Sequence, residues 1–200
     1  MEYLDTYDIN GNFKEKRTRD EVHELGLWHN TVHCWLYDEK GNIYFQIRSD
    51  NNKCYTTASG HVKSGETLEE AFKREIYEEI GYQLELKECS LIDIITWKMD
   101  MVKKDGSIMK DRAKAHVYSA IIKNEEFHFD PSEVKGLAKV NAKETLNLFN
   151  NKIDKINATI IEENKIEQKE LTKEDFLLNK GEDYITKYGF ILDYIIKKSV

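Results

Sequence analysis

The stretch GHVKSGETLEEAFKREIYEEIGY, residues 60–82, decides how this chain folds. Its central part predicts a helix, because Thr67 with Glu70 three residues later forms the pattern of a capping box. Gly81 follows the last predicted turn and is a typical C-terminal stop. The loop before the helix contains two glycines, which permit a tight backbone path close to a ligand.

Apolar and acidic residues occupy neighbouring sides of this helix. At about 100° per residue, one set of apolar side chains forms a stripe that should face the core. Its members are Leu68, Phe72, Ile76 and Ile80. Glu75, Glu78 and Glu79 form a cluster next to the stripe, because positions i, i+3 and i+4 share one face of a helix. The helix therefore places carboxylates at the margin of a surface that it has to bury.

Carboxylates in this position repel one another, and burying one without a partner is costly. A bound cation would explain the arrangement, and Mg²⁺ or Mn²⁺ fits because hard ions prefer carboxylate oxygen. The alternative is a solvated acidic face that Lys73 and Arg74 support by ion pairs along the helix. The glycine-containing loop favours the cation.

The spacing of glycines and charges in this stretch resembles the signature box of the Nudix hydrolases. Gly60 is followed by five residues and then Glu66, and after seven more residues comes REIYEEIG at residues 74–81. Every charged position of the box is present, so the match is specific. Tyr82 departs from the pattern, since the family usually has an aliphatic residue there, and we expect altered packing rather than lost chemistry.

The resemblance implies roles for these residues and a reaction. The metal ligands would be the Gly60 carbonyl and the carboxylates of Glu75, Glu78 and Glu79. Arg74 would orient the carboxylates, and Glu66 would help to hold the loop. The reaction would be attack of water on a diphosphate linkage that joins a nucleoside diphosphate, or another phosphate, to a further group. Mg²⁺ or Mn²⁺ would be the cofactor, since metal ions neutralise phosphate charge and lower the pKa of a bound water.

The predicted elements agree with the fold that the resemblance implies, an α+β structure in which an α-β-α sandwich surrounds a mixed β-sheet. Patterns rich in β-branched and aromatic residues predict strands at residues 2–7, 31–38, 42–48, 54–58, 84–102 and 112–122. A second helix is predicted at residues 141–150, whereas residues 14–26 are too charged to assign. We expect the Nudix domain to cover residues 1–150.

Residues 151–200 form a C-terminal extension in this interpretation, with a hairpin followed by an amphipathic helix. Apolar residues at helical spacing define the helix: Tyr184, Tyr188, Ile191, Leu192 and Ile195. We expect this helix to pack on the core of the same chain. The alternative is a homodimer surface.

Composition limits the partners and the compartment. The formal net charge of −7 argues against duplex nucleic acid as a partner, because neutralising phosphates requires clustered Lys and Arg. Cys34, Cys54 and Cys89 are widely spaced, which suits reduced thiols in a cytosol. No apolar run is long enough for a signal peptide or a membrane span. We expect a cytoplasmic protein that binds a small diphosphate compound and no membrane.

Histidines are further candidates for the site. His29 and His33 begin a predicted strand, where both should point to the same face, and His61 ends the segment TTASGH. They are either partly buried and hydrogen-bonded or additional contacts to metal or phosphate. The second interpretation rests on the isopentenyl-diphosphate isomerases, because His29 and TTASGH are similar to the places where those enzymes carry metal-binding histidines. Ser59 stands where their catalytic cysteine would be, so isomerase activity is not expected.

The sequence leaves three functions to compare. A metal-dependent pyrophosphohydrolase is the leading hypothesis, because the charged positions of the box are intact. An isomerase-like enzyme is the first alternative, and the missing cysteine argues against it. A non-catalytic nucleotide sensor is the second, and Glu78 and Glu79 argue against it because a sensor does not need them.

The general base and the substrate stay open. The base is either a glutamate of the box or a residue from a later segment, such as Asp100, Glu125 or Glu126. Three tryptophans either stack on a nucleobase or belong to the core: Trp28, Trp35 and Trp97. Nucleotide sugars, dinucleotides, coenzymes and isoprenoid diphosphates are all compatible with the sequence.

Overall fold

The computed structural model describes residues 1–103, 105–179 and 181–199. Its strands are β1 (Tyr3–Tyr7), β2 (Phe13–Thr18), β3 (His29–Tyr37), β4 (Asn42–Arg48), β5 (Cys54–Tyr55), β6 (Ala58–His61), β7 (Ser90–Val102), β8 (Ile108–Ile121), β9 (Val134–Asn141), β10 (Ile156–Glu162) and β11 (Lys165–Leu171). Its helices are α1 (Arg19–Leu25), α2 (Leu68–Ile80), α3 (Ala142–Phe149) and α4 (Phe190–Lys198). Shorter helical turns cover Leu86–Glu88, Lys173–Asp175 and Ile185–Gly189.

Most strands join one mixed sheet. Its main path is β11-β10-β9-β4-β3-β8-β7, with β5 paired to β4 and β6 paired to β3, while β1 and β2 form a separate two-stranded sheet. β3 and β8 run parallel, with His29 opposite Ala113. β6 runs antiparallel to β3 and places Gly60 opposite Val32. This register holds the chain before α2 against β3.

Helices cover both faces of the large sheet. On one face, α2 buries Phe72, Ile76 and Ile80 in a core that also contains Val32 and Leu36 of β3. The core on the other face includes Trp35, Phe45, Leu148, Ile191 and Ile195. Successive side chains of β3 pack alternately into these two cores, because neighbouring residues of a strand point to opposite faces of the sheet. The predicted α+β sandwich around a mixed sheet is confirmed.

Several local predictions differ from the structure, and the strand predicted at residues 54–58 divides into β5 and β6. The unassigned residues 14–26 contain most of β2 and all of α1. Thr18 caps α1 and forms a capping box with Glu21, so a helix-start signal was present in the sequence. The strand predicted over residues 84–102 is shorter, because the chain first turns at Leu86–Glu88 and β7 begins at Ser90.

The C-terminal hairpin and helix continue the same sheet and core. β10 pairs with β9, with Ala158 opposite Val140, and β11 pairs with β10. Ile191, Leu192 and Ile195 of α4 are fully buried, as expected for a helix that packs on its own chain. The division of the chain at residue 150 stays a prediction.

The state of the cysteines concerns the prediction of reduced thiols, and the character of the helices concerns the prediction that no segment spans a membrane. Cys34 and Cys54 are buried, Cys89 is partly buried, and all three are free thiols. Across residues 1–103, 105–179 and 181–199, no helix has the length and apolar character needed to cross a bilayer.

Candidate active site

Both ends of α2 are fixed by the groups that the sequence indicated. The Glu70 amide donates to Thr67 Oγ1 (3.2 Å), and the Thr67 amide donates to Glu70 Oε2 (2.8 Å). At the other end, Gly81 has a φ of 64° and its amide donates to the Tyr77 carbonyl at 3.0 Å. Glycine adopts this left-handed conformation without strain, because it has no Cβ. α2 is therefore a firm support for the acidic side chains on its later turns.

The three glutamates of the helix differ in burial. Glu79 is 6% exposed, and its Oε2 accepts a hydrogen bond from the Ser59 amide at 2.9 Å. Burial raises the pKa of Glu79 to about 8. Burial also raises the pKa of Glu75, because a surrounding of low dielectric disfavours the charged form. Glu78 lies outermost, with 54% of its side chain exposed.

Arg74 ties these glutamates to the preceding loop. It donates two hydrogen bonds to Glu66, from Nε to Oε1 (2.8 Å) and from Nη2 to Oε2 (2.9 Å). Nη1 donates to Glu75 Oε1 (2.6 Å) and Glu78 Oε2 (3.1 Å), and Nη2 donates to the His61 carbonyl (2.9 Å). Burial acts to lower the pKa of Arg74, but the three carboxylates outweigh it and the pKa is raised. One planar side chain thus positions three carboxylates and a loop carbonyl.

Gly60 makes room for the acidic cluster. A Cβ added at this position would lie within 2.1–2.3 Å of the carboxylate atoms of Glu75. Only glycine therefore lets the loop backbone approach this carboxylate. Together the Gly60 backbone and the carboxylates of Glu75, Glu78 and Glu79 form an oxygen-rich set that suits a hard divalent cation. Burial raises the pKa values of Glu75 and Glu79, so a cation bound among these groups would stabilise their charged forms.

A glutamate cleft of about 520 Å³ opens over this cluster. Its walls include six residues that the sequence singled out: Gly60, His61, Arg74, Glu75, Glu78 and Glu79. Glu66 and His29 lie outside the walls, and Glu66 contacts the cluster through Arg74. Sequence reasoning assigned no role to the other charged residues of the walls: Glu2, Arg19, Arg48, Asp50, Lys63 and Glu133. Apart from Lys63, which lies in the loop between Gly60 and Glu66, they come from separate segments, so no local motif identifies them.

The residues that the sequence offered as a general base lie elsewhere. Glu125 accepts a hydrogen bond from the Tyr44 hydroxyl at 2.5 Å. Asp100 accepts one from Arg112 at 2.5 Å. Neither they nor Glu126 lines the glutamate cleft, whereas Glu133, just before β9, does.

Three histidines meet beside the cleft, and His33 is not one of them. His23 of α1, His29 of β3 and His61 of β6 have ring centroids 5.1–5.2 Å apart. One ligand nitrogen from each lies within 4.8 Å of the others. His29 Nδ1 is 3.1 Å from the Leu27 carbonyl, which assigns the ring proton to Nδ1 and leaves a lone pair on Nε2.

The surroundings of this histidine group keep the rings neutral. Burial lowers the pKa of His23 to about 4 and the pKa of His61 well below its usual value. His29 Nε2 and Asp111 Oδ1 lie 3.7 Å apart, and both are buried without a hydrogen bond to any part of the chain that the structure describes. Neutral imidazole is the form that binds metal. The sequence did not indicate His23 as a site residue, because it lies in residues 14–26, which were too charged to assign.

Comparison with family models and curated proteins identifies related chains. The NUDIX domain family model matches residues 27–161. An uncharacterised Nudix hydrolase of Clostridium acetobutylicum is 31% identical over 198 residues, which cover 94% of this chain and 93% of that protein. An isopentenyl-diphosphate Delta-isomerase of Photorhabdus laumondii is 32% identical over 77 residues, which cover 35% of this chain and 42% of the isomerase.

Comparison with solved structures concerns the fold. A crystal structure from Deinococcus radiodurans aligns with a TM-score of 0.55 at 21% identity and covers 75% of this chain and 89% of that one. At this identity the likeness concerns the fold alone. From the domain match and the relative in Clostridium, the chain belongs to the Nudix hydrolases, enzymes that act on phosphorus-containing acid anhydrides.

Proposed function

We propose that this protein is a metal-dependent pyrophosphohydrolase that cleaves a diphosphate linkage by attack of water. The observation behind this proposal is the convergence of Glu75, Glu78 and Glu79 on the loop at Gly60 within one cleft. The three carboxylates and the Gly60 carbonyl would hold Mg²⁺ or Mn²⁺. When bound, the ion would neutralise charge on the diphosphate and lower the pKa of a water molecule.

The remaining residues would position these groups and move a proton. Arg74 holds Glu75 and Glu78 by direct hydrogen bonds, and Glu66 braces Arg74 at two points. We assign the role of proton acceptor to Glu133, because it enters the glutamate cleft from a later segment of the chain. Its carboxylate also helps to raise the pKa of Glu79, so the two side chains are close enough to interact.

Isomerisation of an isoprenoid diphosphate is the alternative that the sequence raised. Ser59 lines the glutamate cleft where the isomerases would need a thiol. Cys54 is buried, and burial raises the pKa of its thiol to about 12, which disfavours the reactive thiolate. Hydrolysis is therefore the better supported reaction. A non-catalytic nucleotide sensor would bind diphosphates at the same cleft without turnover.

We also propose a second metal site at His23, His29 and His61. The lone pair on His29 Nε2 and the short separations of the three rings support it. Neutral imidazole ligands suit a transition metal better than magnesium. Elemental analysis of the purified protein and of the His23→Asn variant tests the site, and equal metal content in both would contradict it.

The predicted partners and compartment follow from charge and thiol state. We propose that the protein acts in the cytoplasm on small diphosphate compounds and not on duplex nucleic acid, given the net charge of −7 and the free cysteines. The homodimer stays a prediction, which sedimentation of the full chain tests. α4 gives it no support, because Ile191, Leu192 and Ile195 are fully buried in the core of their own chain.

One experiment separates the three functions. The protein is incubated with Mg²⁺ or Mn²⁺ and a panel of diphosphates that includes isopentenyl diphosphate, and the products are identified. Release of phosphate or of a monophosphate ester supports hydrolysis, and a shifted double bond supports isomerisation. Tight binding without products would support the sensor and exclude the hydrolase.

A further inference from the structure

The glutamate cleft offers little surface for stacking a nucleobase. Among the residues that the structure describes, its walls contain no Trp, Tyr or Phe, and the imidazole of His61 is their sole ring. Trp35 is 3% exposed in the core, and Trp28 and Trp97 each have a lysine ammonium group 5.5 Å from the ring centre. Stacking on aromatic side chains is the main sequence-tolerant source of affinity for a base. A nucleoside therefore gains little from this cleft.

The walls of the glutamate cleft carry cationic side chains, including those of Arg48 and Arg74. Arg74 is engaged with the acidic cluster, but Arg48, the last residue of β4, also enters the glutamate cleft. Arg48 donates from Nε to Asp50 Oδ1 and from Nη2 to Asp50 Oδ2, both at 3.0 Å. This fork fixes the plane of the guanidinium group and uses one of its edges. Nη1 keeps both hydrogens for a ligand, since it makes no hydrogen bond within the described part of the chain.

The backbone around Arg48 is also fixed. The Asn52 amide donates to the Arg48 carbonyl at 2.9 Å, and the Ser49 amide donates to the Glu133 carbonyl at 2.9 Å. The second contact links the turn after β4 to the segment that carries Glu133. Only 36% of the Arg48 side chain is exposed. An arginine held in this way loses little conformational freedom when it binds an anion.

We propose that the substrate carries a phosphate monoester in addition to the diphosphate that is cleaved, on a scaffold such as a sugar that needs no aromatic contact, and that Arg48 binds this second group. The proposal rests on the pyrophosphohydrolase function and specifies its substrate class. The planar donor edge of Arg48 matches two oxygens of a phosphate, and an isoprenoid chain offers no such pair of acceptors. Asp50 acts as a positioning residue, because it touches Arg48 and aligns it. Arg48 is a specificity residue rather than a catalytic one.

A matched pair of substrates tests the proposal. 5-Phosphoribosyl 1-diphosphate and ribosyl 1-diphosphate differ only in the phosphate that Arg48 would bind. With Mg²⁺, we expect kcat/KM to be about tenfold or more higher for the phosphorylated compound, which is the size expected for charge-assisted hydrogen bonds. In Arg48→Gln the preference should vanish through a higher KM, with kcat nearly unchanged. Asp50→Asn should reduce the preference in part, because the guanidinium group is then less well aligned.

The controls distinguish a failure of the role of Arg48 from a failure of the pyrophosphohydrolase function. Arg112→Gln removes an arginine whose partner is Asp100, outside the glutamate cleft, and should keep the preference. Two results would overturn the role of Arg48 while leaving hydrolysis intact. One is a kcat/KM for ADP-ribose that exceeds the value for 5-phosphoribosyl 1-diphosphate and changes when another base replaces adenine. The other is an unchanged preference for the phosphorylated compound in Arg48→Gln. Absence of turnover with every diphosphate would reject the pyrophosphohydrolase. In that case, calorimetry in Mg²⁺ still tests the role of Arg48 by comparing the affinities for 5-phosphoribosyl 1-diphosphate and ribosyl 1-diphosphate. Equal affinities for the two compounds would overturn it.

Discussion

Gly60 and the carboxylate of Glu75 are in direct contact between the loop and α2. A Cβ built on Gly60 would lie 2.1 Å from Glu75 Cδ, far inside any normal contact distance. In Gly60→Ala we therefore expect the Glu75 side chain to move away. Activity should fall by about 10–100-fold, the usual size of an effect on the support of a metal site. The measurements are kcat and the Mg²⁺ concentration that gives half-maximal activity, which should rise.

Gly106→Ala is the matched control for that variant. Unlike Gly60, Gly106 has a positive φ, of 85°, so alanine is strained there, but an added Cβ would meet no atom within 4 Å. This control should lose some stability and keep its activity. Normal activity and an unchanged metal requirement in Gly60→Ala would contradict the role of the contact.

Glu78→Gln should abolish turnover while the fold persists. Glutamine keeps the size of the side chain but removes its negative charge, so we expect activity to fall by more than about a hundredfold. The side chain is 54% exposed, and the free energy of unfolding should change by less than about 1 kcal/mol. Glu69→Gln is the control, because Glu69 pairs with Lys73 at 3.2 Å and does not line the glutamate cleft. Turnover at the parent rate in Glu78→Gln would reject the metal assignment.

Arg74→Lys tests the positioning of the carboxylates. Lysine keeps the charge but cannot reproduce the planar set of bonds to Glu66, Glu75 and Glu78. We expect kcat to fall by about 10–100-fold. The free energy of unfolding should drop by about 1–3 kcal/mol, measured by urea denaturation. Arg17→Lys, which alters only more exposed ion pairs, should change neither quantity by much.

His33 should make the stability of the fold depend on pH. Burial, and then the charge of Lys187, lower the pKa of His33 to about 4. Tyr55 also borders the same small cavity. In the unfolded chain, His33 has a pKa of about 6.5, so it takes up a proton there first as the pH falls. Its contribution to the free energy of unfolding is therefore complete above about pH 6.5, and it is lost as the pH falls toward the pKa of His33 in the folded protein.

The variant His33→Gln isolates this contribution. Between pH 7 and 5, its free energy of unfolding should fall by about 2 kcal/mol less than that of the parent, measured by urea denaturation. Between pH 7 and 8.5, the two proteins should show the same trend, because His33 is then neutral in both states. Equal losses on acidification would contradict the prediction.

Ile191→Ala tests whether the C-terminal extension belongs to the core. Ile191 is fully buried and packs in the same cluster as Phe45 of β4. We expect a loss of about 2–5 kcal/mol in the free energy of unfolding, as for other buried isoleucines. Unfolding followed by circular dichroism and by fluorescence should remain a single transition. Ile185→Ala, at a half-exposed position, should cost less than about 1 kcal/mol. Two separate transitions would support an independent unit at residues 151–200 instead.

The sequence by itself determined α2 and the arrangement of groups upon it. Thr67, Glu70 and Gly81 define the ends of the helix, and the spacing of Glu75, Glu78 and Glu79 places them on one side of it. These are local properties, because within about four residues the helix geometry alone fixes which side chains are neighbours. The spacing of the box also indicated the family, and with it the sandwich fold.

The tertiary structure alone decided which distant residues join the site. Arg48 and Glu133 enter the glutamate cleft, and His23 joins His29 and His61, although these residues lie in different elements. Arg48 and Glu133 meet through the register of β4 against β9, in which Arg48 lies opposite Val134, and His61 meets His29 through the register of β6 against β3. A shift of one residue would turn the side chains of these strands to the other face of the sheet. No local pattern encodes these registers, since packing across the whole sheet sets them.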